Sequence, residues 1–390
     1  MGSRLFFVIK MNDSPLLCPV KLFNLLNVFT SCFTKPQFKN FCHFTNSVIL
    51  SQYSSIKRFA ALGGMHQSSL NDFVTQSPWN EFNVRSKLSR FTAKQFPDAC
   101  IGIIDDTMSH KPYAKKMSFV DYFYDGLTKT RQKGISIVTH GIHSPAYGFV
   151  PFDEQVYKKG ALSKNEIACE MISRTQKYKK MSLYIVDSWY SGNYLLKTIK
   201  KYKAHYITEV KSNRNVTISQ RKNAVRAQEK LLRKSDYTDV NIKGNKYRYA
   251  QTEARIKGLG NVNLVFSQKS EGKNWGDTYY LITDIRSMTG ERVIELFLKR
   301  GEIESFHREA KQQLGLEDFQ LRKSQGIERN MFLILLVFVL LVVLQKQHYK
   351  KTLEHKTIGE IKTMLKAECY TKLFQHKKPP DIIQKISYGL

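Results

Sequence analysis

Residues 99–107 read ACIGIIDDT and residues 182–193 read SLYIVDSWYSGN. Each stretch opens with a short apolar run, Ala99 to Ile104 and Ser182 to Val186, and each run stops on a carboxylate, Asp105 and Asp187. Runs of that length between turn residues predict buried strands with the acids at their C-terminal ends. In a parallel or mixed sheet, strand ends at one edge converge on a crevice where ligands bind. Taken singly, an Asp after a strand is an ordinary turn residue. Two in equivalent places are a candidate site.

Working outward, Ser136 to His140 and Tyr147 to Phe152 are strand candidates with Gly141 and Pro145 between them, a hairpin pattern. Ser163 to Tyr178 carries Ile167, Met171 and Ile172 on one helical stripe. A helix over Gly192 to Tyr202 and a strand over His205 to Val210 follow. Strands alternating with helices predict a mixed α/β sheet. Residues 211–278 break the rhythm. Gln220 to Lys234 is strongly basic and looks helical, and Tyr237 to Ile242, Tyr247 to Ile256 and Val262 to Ser267 alternate like half-exposed strands. Tyr279 to Ile285 returns to a core-like strand, Ile294 to Leu314 reads as a helix, and Met331 to His348 as a second, very apolar one. The expected organisation is a mostly helical region over 1–94, a core over 95–210, a basic β-rich insertion over 211–278, the rest of the core over 279–348, and a basic helical tail over 349–390 that runs to Pro379-Pro380.

The chain has 390 residues and a net charge of +29, from 62 Lys and Arg against 33 Asp and Glu. That length leaves room for more than one domain. A charge so far from neutral repels itself unless a polyanion is near, and nucleic acid is the commonest such partner. Six cysteines, at 18, 32, 42, 100, 169 and 369, include no C-x-x-C pair, which argues against a zinc site or a disulfide framework and for reduced thiols in a cytoplasmic protein. The run Met331 to Leu344 has fourteen apolar residues, against the roughly 20 of a membrane span, so a buried helix and no membrane are expected.

A third carboxylate comes from the helix after the insertion. Phe297, Arg300, Glu304 and Lys311 are spaced 3, 4 and 7 apart, which at about 100° per residue places them within roughly 60° of one face. Such a face presents a carboxylate between two cations. Three carboxylates from two strands and a helix make a hard oxygen site suited to Mg²⁺ or Mn²⁺. It can hold two ions roughly 3.5–4 Å apart that clamp the attacking and leaving oxygens of a phosphodiester.

The pattern Phe297-x2-Arg300-x3-Glu304-x6-Lys311 resembles the Y-x2-R-x3-E-x6-K signature of DDE transposases from bacterial insertion sequences. IIDDT, YIVDSWYSGN and RGEIESFHREAKQQLGLEDF fit the same family in the same order, over roughly residues 95 to 345. The resemblance implies an α/β fold: a ribonuclease H-like mixed-sheet core interrupted by a β-rich insertion, with a helical N-terminal region that could bind DNA. The gap of 117 positions between Asp187 and Glu304 leaves space for that insertion. By position, Asp105, Asp187 and Glu304 are implied as catalytic metal ligands for two Mg²⁺ ions (or Mn²⁺), with Asp106 the alternative to Asp105. Asp105 stands two residues before Thr107, as in the D-x-T form of the family. Arg300, Lys311 and Phe297 are implied DNA contacts; Phe297 replaces a Tyr, keeping the ring and losing its hydroxyl. Lys111 and Lys115, in the loop after the first acid, are candidate DNA-backbone contacts or solvated loop residues. Trp275 lies where some relatives stack a Trp on a flipped base, and a packing role is the other reading. His140 and His143 are expected to be structural, and Trp189 and Tyr190 to pack the core. The basic run Lys211, Arg214, Arg221, Lys222, Arg226, Lys230, Arg233, Lys234 is a candidate DNA track.

The function implied is a cut-and-paste DNA transposase acting on the terminal inverted repeats of its own element and on target DNA, as a homodimer or higher oligomer, in the bacterial cytoplasm and nucleoid-associated when bound. The competing expectations are a non-catalytic DNA-binding protein derived from a transposase, and a ribonuclease H-like nuclease without a joining step.

Overall fold

The computed structural model describes residues 18–51, 55–62, 65–126 and 128–375. The Pro379-Pro380 stop expected for the C-terminal helix and residues 1–17 of the helical N-terminal region lie outside them. The chain divides into two compact units, one of Met1–Thr92, Ser109–Gly134 and Arg308–Leu390, the other of Ala93–Met108 and Ile135–His307.

In the first unit the N-terminal helices are α1 (Val20–Leu26), α2 (Lys35–Leu50), α3 (Ile56–Leu62), α4 (Gln67–Thr75) and α5 (Glu81–Gln95). Thr34 and Gln37 form a capping box that fixes the start of α2. The many Phe residues of this region make its core: Phe33 stacks on Phe41 at 4.8 Å between ring centres, and Phe73 on Trp79 at 5.6 Å. The apolar run beginning at Met331 belongs to a helix of 29 residues, Ser324–Thr352, far longer than the run itself. By length and composition it could cross a membrane, yet 94% of its most apolar window is buried inside the protein. A helix apolar on all sides needs cover on all sides, and here the protein supplies it. Arg329 anchors this helix, donating to the carbonyls of Ser77 and Trp79 at 2.8 and 3.0 Å with its guanidinium over the Trp79 ring.

The second unit is built on a mixed sheet. Its core strands are β1 (Ile101–His110), β3 (Thr130–Ser144), β4 (Gly148–Val156), β5 (Leu183–Val186) and β6 (His205–Glu209); β2 (Asp121–Asp125) pairs with the opening residues of β3 in the first unit. The spatial order is β4-β3-β1-β5-β6, with β1, β5 and β6 parallel and the β3–β4 hairpin antiparallel. Helices α6 (Lys164–Gln176) and α7 (Asn193–Lys201) make the connections into and out of β5. This is the ribonuclease H-like core that the sequence implied. The hairpin turns over 145–147, and Gly141 lies inside β3 at an irregularity in the pairing. A Cβ on Gly141 would overlap the Phe149 ring and approach the Val150 carbonyl oxygen to 2.6 Å, so the close strand approach needs glycine.

Beyond β6 the same sheet continues. After β7 (Asn215–Ile218), β8 (Arg221–Ala224), the short α8 (Val225–Glu229), β9 (Thr238–Ile242), β10 (Asn245–Ile256) and β11 (Gly260–Glu271), the strand β12 (Asn274–Thr283) lies between β11 and β6. The strands of the 211–278 stretch therefore extend the core sheet edge to edge, with order β6-β12-β11-β10-β7-β8 and β9 on β10. The segment Gln220 to Lys234, which looks helical by composition, holds β8 and only a five-residue helix.

The chain then forms α9 (Gly290–Phe297), a 3₁₀ turn over Leu298–Arg300, and α10 (Gly301–Leu314). The long apolar helix is α11 (Ser324–Thr352), and α12 (Ile358–Gln375) follows it.

Candidate active site

The site follows from strand register. Ile104 of β1 pairs with Val186 of β5, and Val186 pairs with Thr208 of β6. The next residues on the three strands are Asp105, Asp187 and Glu209. Neighbouring strands lie about 4.8 Å apart, so three carboxylates form a row across the sheet where parallel pairing stops. Contrary to the sequence expectation, β1 does not end at Asp105 but runs to His110, because β3 continues beside it after β5 has ended. Glu209 was not singled out in the sequence. Its strand, HYITE, closes on an acid just as the other two runs do, and that was the available signal.

Each acid is held differently. Asp187 caps the 3₁₀ turn Ser188–Tyr190, its Oδ1 accepting from the backbone N–H groups of Trp189 and Tyr190 at 2.9 and 3.2 Å. Asp105 is 9% exposed, accepts from the Asp106 N–H through Oδ1, and meets Arg300 Nη1 through Oδ2 at 2.8 Å. Burial first, and the Asp187 charge second, push the Asp105 carboxyl up to about 7 against the opposing pull of Arg300. Burial also raises Asp187, with Arg300 and the two N–H groups opposing, and raises Glu209, with Arg300 opposing and Asp187 adding.

Arg300 lies among these acids. Besides Asp105, its Nη2 meets Glu304 Oε1 at 2.8 Å. Burial disfavours its charge, but Asp105, Glu304, Asp187 and Glu209 outweigh burial and raise its pKa. The Glu304 carboxylate, one turn along α10, is 59% exposed at the side chain. Among the described residues no group of three or more His, Cys, Asp or Glu stands in a metal-holding arrangement; a guanidinium bridges Asp105 and Glu304 instead.

Asp106 faces a different set of partners. Lys164 Nζ is 2.5 Å from its Oδ2 and the Tyr190 hydroxyl donates to its Oδ1 at 3.0 Å. Its oxygens serve a structural ion pair, which leaves Asp105 as the acid that joins the row.

The remaining candidates are distributed more widely. Phe297 is buried, at the end of an α9 face with Val293, Ile294 and Leu296. The single face proposed for Phe297, Arg300, Glu304 and Lys311 assumed an unbroken α-helix. The intervening 3₁₀ turn eclipses side chains three residues apart, so Phe297 stays in line with Arg300; the two differ in burial, Phe297 packing with the apolar residues of α9 while Arg300 reaches Asp105. Lys311 pairs with Glu317 at 2.8 Å. Lys111 is buried, donates to the carbonyls of Glu317 and Phe319, and lies 3.9 Å from the Phe319 ring centre. Burial brings its pKa down to about 8. Lys115 is exposed on the loop after β1. Trp275 is half-buried, with the Arg248 guanidinium 4.6 Å and the Lys246 ammonium 5.5 Å from its ring. His140 is fully buried with Nδ1 3.0 Å from the Thr175 hydroxyl, and His143 meets Glu302 at 2.7 Å. Of the basic run, Arg214 is half-buried and the other seven residues are exposed. Tyr190 packs the core as expected, whereas Trp189 is 57% exposed.

The structure thus brings Asp105 and Asp187 into register on a ribonuclease H-like sheet, with Glu304 joined to Asp105 through Arg300. The chain belongs to the family described as transposase DDE domain, whose family model matches residues 96–340. Its fold is similar to that of a solved structure described as a piggyBac transposase synaptic complex with hairpin DNA. The likeness has a TM-score of 0.50 at 11% identity and covers 97% of this chain and 85% of that one. No curated protein sequence matches it.

Proposed function

We propose that this chain is a DNA transposase that cuts the ends of its own insertion sequence and joins them to target DNA in a cut-and-paste reaction, with Asp105, Asp187 and Glu304 as its metal-holding carboxylates. The observation that carries the reading is the register that puts Asp105 and Asp187 on adjacent positions past the last paired residues of β1 and β5. The family membership and the net charge of +29 support a DNA substrate.

The donor chemistry fits Mg²⁺ or Mn²⁺. The residues offer oxygens only, and burial together with the Asp187 charge holds the Asp105 proton up to about 7 even with Arg300 beside it, an excess of negative charge that a divalent cation would offset. Two such ions, when bound, supply Lewis-acid activation of the attacking oxygen and charge stabilisation of the leaving one. The protein's own part is orientation. Asp187 is locked by the turn it caps. Asp105 is fixed on a paired strand, and Arg300 bridges Asp105 and Glu304, the carboxylates that with Asp187 would hold the ions. Released from the acids, the guanidinium is free to meet a phosphate oxygen, for which its planar fork is suited. In this reading Lys115 of the first unit, and separately the exposed lysines and arginines of residues 211–234 with Trp275 in the second, are further DNA contacts, and paired ends require a dimer or larger assembly.

The committed state of Arg300 favours one second reading, a DNA-binding protein without catalysis. A labelled fragment carrying the element's terminal inverted repeats, incubated with the protein and Mg²⁺ or Mn²⁺, separates the two. Cleavage and strand transfer support the transposase; binding without cutting in both metals supports the inert protein.

A further inference from the structure

Two residues beyond Asp187, Trp189 leaves 57% of its surface open. Its backbone is fixed on both sides, the N–H by Asp187 Oδ1 at 2.9 Å and the carbonyl by Asn165 Nδ2 at 3.3 Å. The indole is flanked by two cations, Lys211 Nζ at 5.2 Å and Lys164 Nζ at 5.8 Å from the ring. Lys164 is held by Asp106, which leaves Lys211 as the cation beside the open ring. A large rigid ring, open to solvent and next to an ammonium group, is the chemistry that grips a nucleotide: the ring takes the base face and the cation attracts its phosphate. Nothing in the packing of the unit requires the indole to be exposed, since its neighbour Tyr190 fills the core position of the same turn.

We propose that Trp189, with Lys211, is a stacking platform for an unpaired base of the DNA strand being cut. The inference rests on the transposase reading above and adds a binding site to it. Two residues of chain span at most about 7 Å, so the platform moves with the Asp187 carboxylate. A base stacked on it belongs to a nucleotide at or next to the phosphate that the acids address. In duplex DNA both faces of a base are already stacked, and the platform therefore selects a strand that has been opened at the cleavage point.

The chain's three tryptophans make the test direct. Trp79 is buried and Trp275 half-buried, so Trp189 is the emitter most open to a bound base, and Trp189→Phe isolates its signal in the wild-type background. In EDTA, where no cutting occurs, a short oligo(dT) is titrated against this protein, and emission and anisotropy are followed in parallel with a duplex of equal length. The expected result is quenching by oligo(dT) that disappears in Trp189→Phe. Affinity for oligo(dT) falls about tenfold in Trp189→Ala, is largely kept in Trp189→Phe, and duplex affinity is unchanged in both. Oligo(dT) bound equally tightly by Trp189→Ala, or bound without quenching, overturns the platform while leaving the transposase reading standing. Failure of the parent to bind either DNA overturns both.

Discussion

The row of carboxylates makes a stability prediction that can be worked through. Asp105 is almost wholly buried and its carboxyl is raised from 3.8 to about 7. The folded state holds this proton more tightly than the unfolded state does. The contribution to stability is therefore complete below pH 3.8 and is lost as pH rises through about 7. Between pH 5 and pH 8 the unfolded group is already ionised while the folded one gives up its proton. At about 1.4 kcal/mol per pH unit, the loss over that window is roughly 2–3 kcal/mol. Asp105→Asn removes the titration and keeps an oxygen for Arg300. The assay is urea or thermal unfolding at pH 5 and pH 8 in EDTA, on the wild type and the variant. The wild type should be the less stable at pH 8, by roughly 5–10 °C for a unit of this size, and Asp105→Asn should lose much less between the two pH values. Saturating Mn²⁺ should restore the wild type at pH 8 and leave the variant little changed. Equal pH slopes in the two proteins, or a wild type that gains stability toward pH 8 relative to the variant, would refute the reasoning.

Other perturbations follow from the same geometry. Arg300→Ala leaves buried carboxylates without their cation, so the loss of stability should move to higher pH than in the wild type, measured in the same series, with a cost at pH 8 of about 3 kcal/mol. Lys111→Met strips the donor from two carbonyls and should lower the free energy of unfolding by about 2 kcal/mol, with DNA affinity unchanged by anisotropy. Gly102→Ala places a Cβ 2.5 Å from the Tyr184 ring and should cost about 1–3 kcal/mol in denaturant titrations. Duplex affinity should fall steeply with salt, and a log–log plot with no slope would deny the electrostatic footprint.

Much of the core could be read directly. The runs ending at Asp105 and Asp187 are strands buried on both faces, and such strands announce themselves as short unbroken apolar stretches. The strands after residue 236 were legible as strands, although Val262 to Ser267, expected to have a half-exposed face, is buried at every position between β10 and β12. What escaped reading depends on partners distant in sequence. Whether β1 stops at Asp105 is decided by β3, which outlasts β5. Glu209 matters because of its register with Asp187, which no local pattern encodes. Lys111 and Lys115 look alike in sequence, yet one finds two carbonyls and an aromatic ring while the other stays in water. Trp189 and Tyr190 are adjacent aromatics on a 3₁₀ turn, and only one can point into the core. Phe297 keeps the signature spacing to Arg300 and Glu304, yet it is buried with Val293, Ile294 and Leu296 of α9, which spacing alone does not reveal.

The central claim is that Asp187, beside Asp105, holds metal for strand cleavage. The most direct measurement is Mn²⁺-dependent cleavage of a labelled terminal-repeat fragment by the wild type and by Asp187→Ala, with DNA binding followed in parallel. The account predicts cutting by the wild type, at least a thousandfold loss in the variant, and similar DNA binding by both. Undiminished cutting by Asp187→Ala would contradict it.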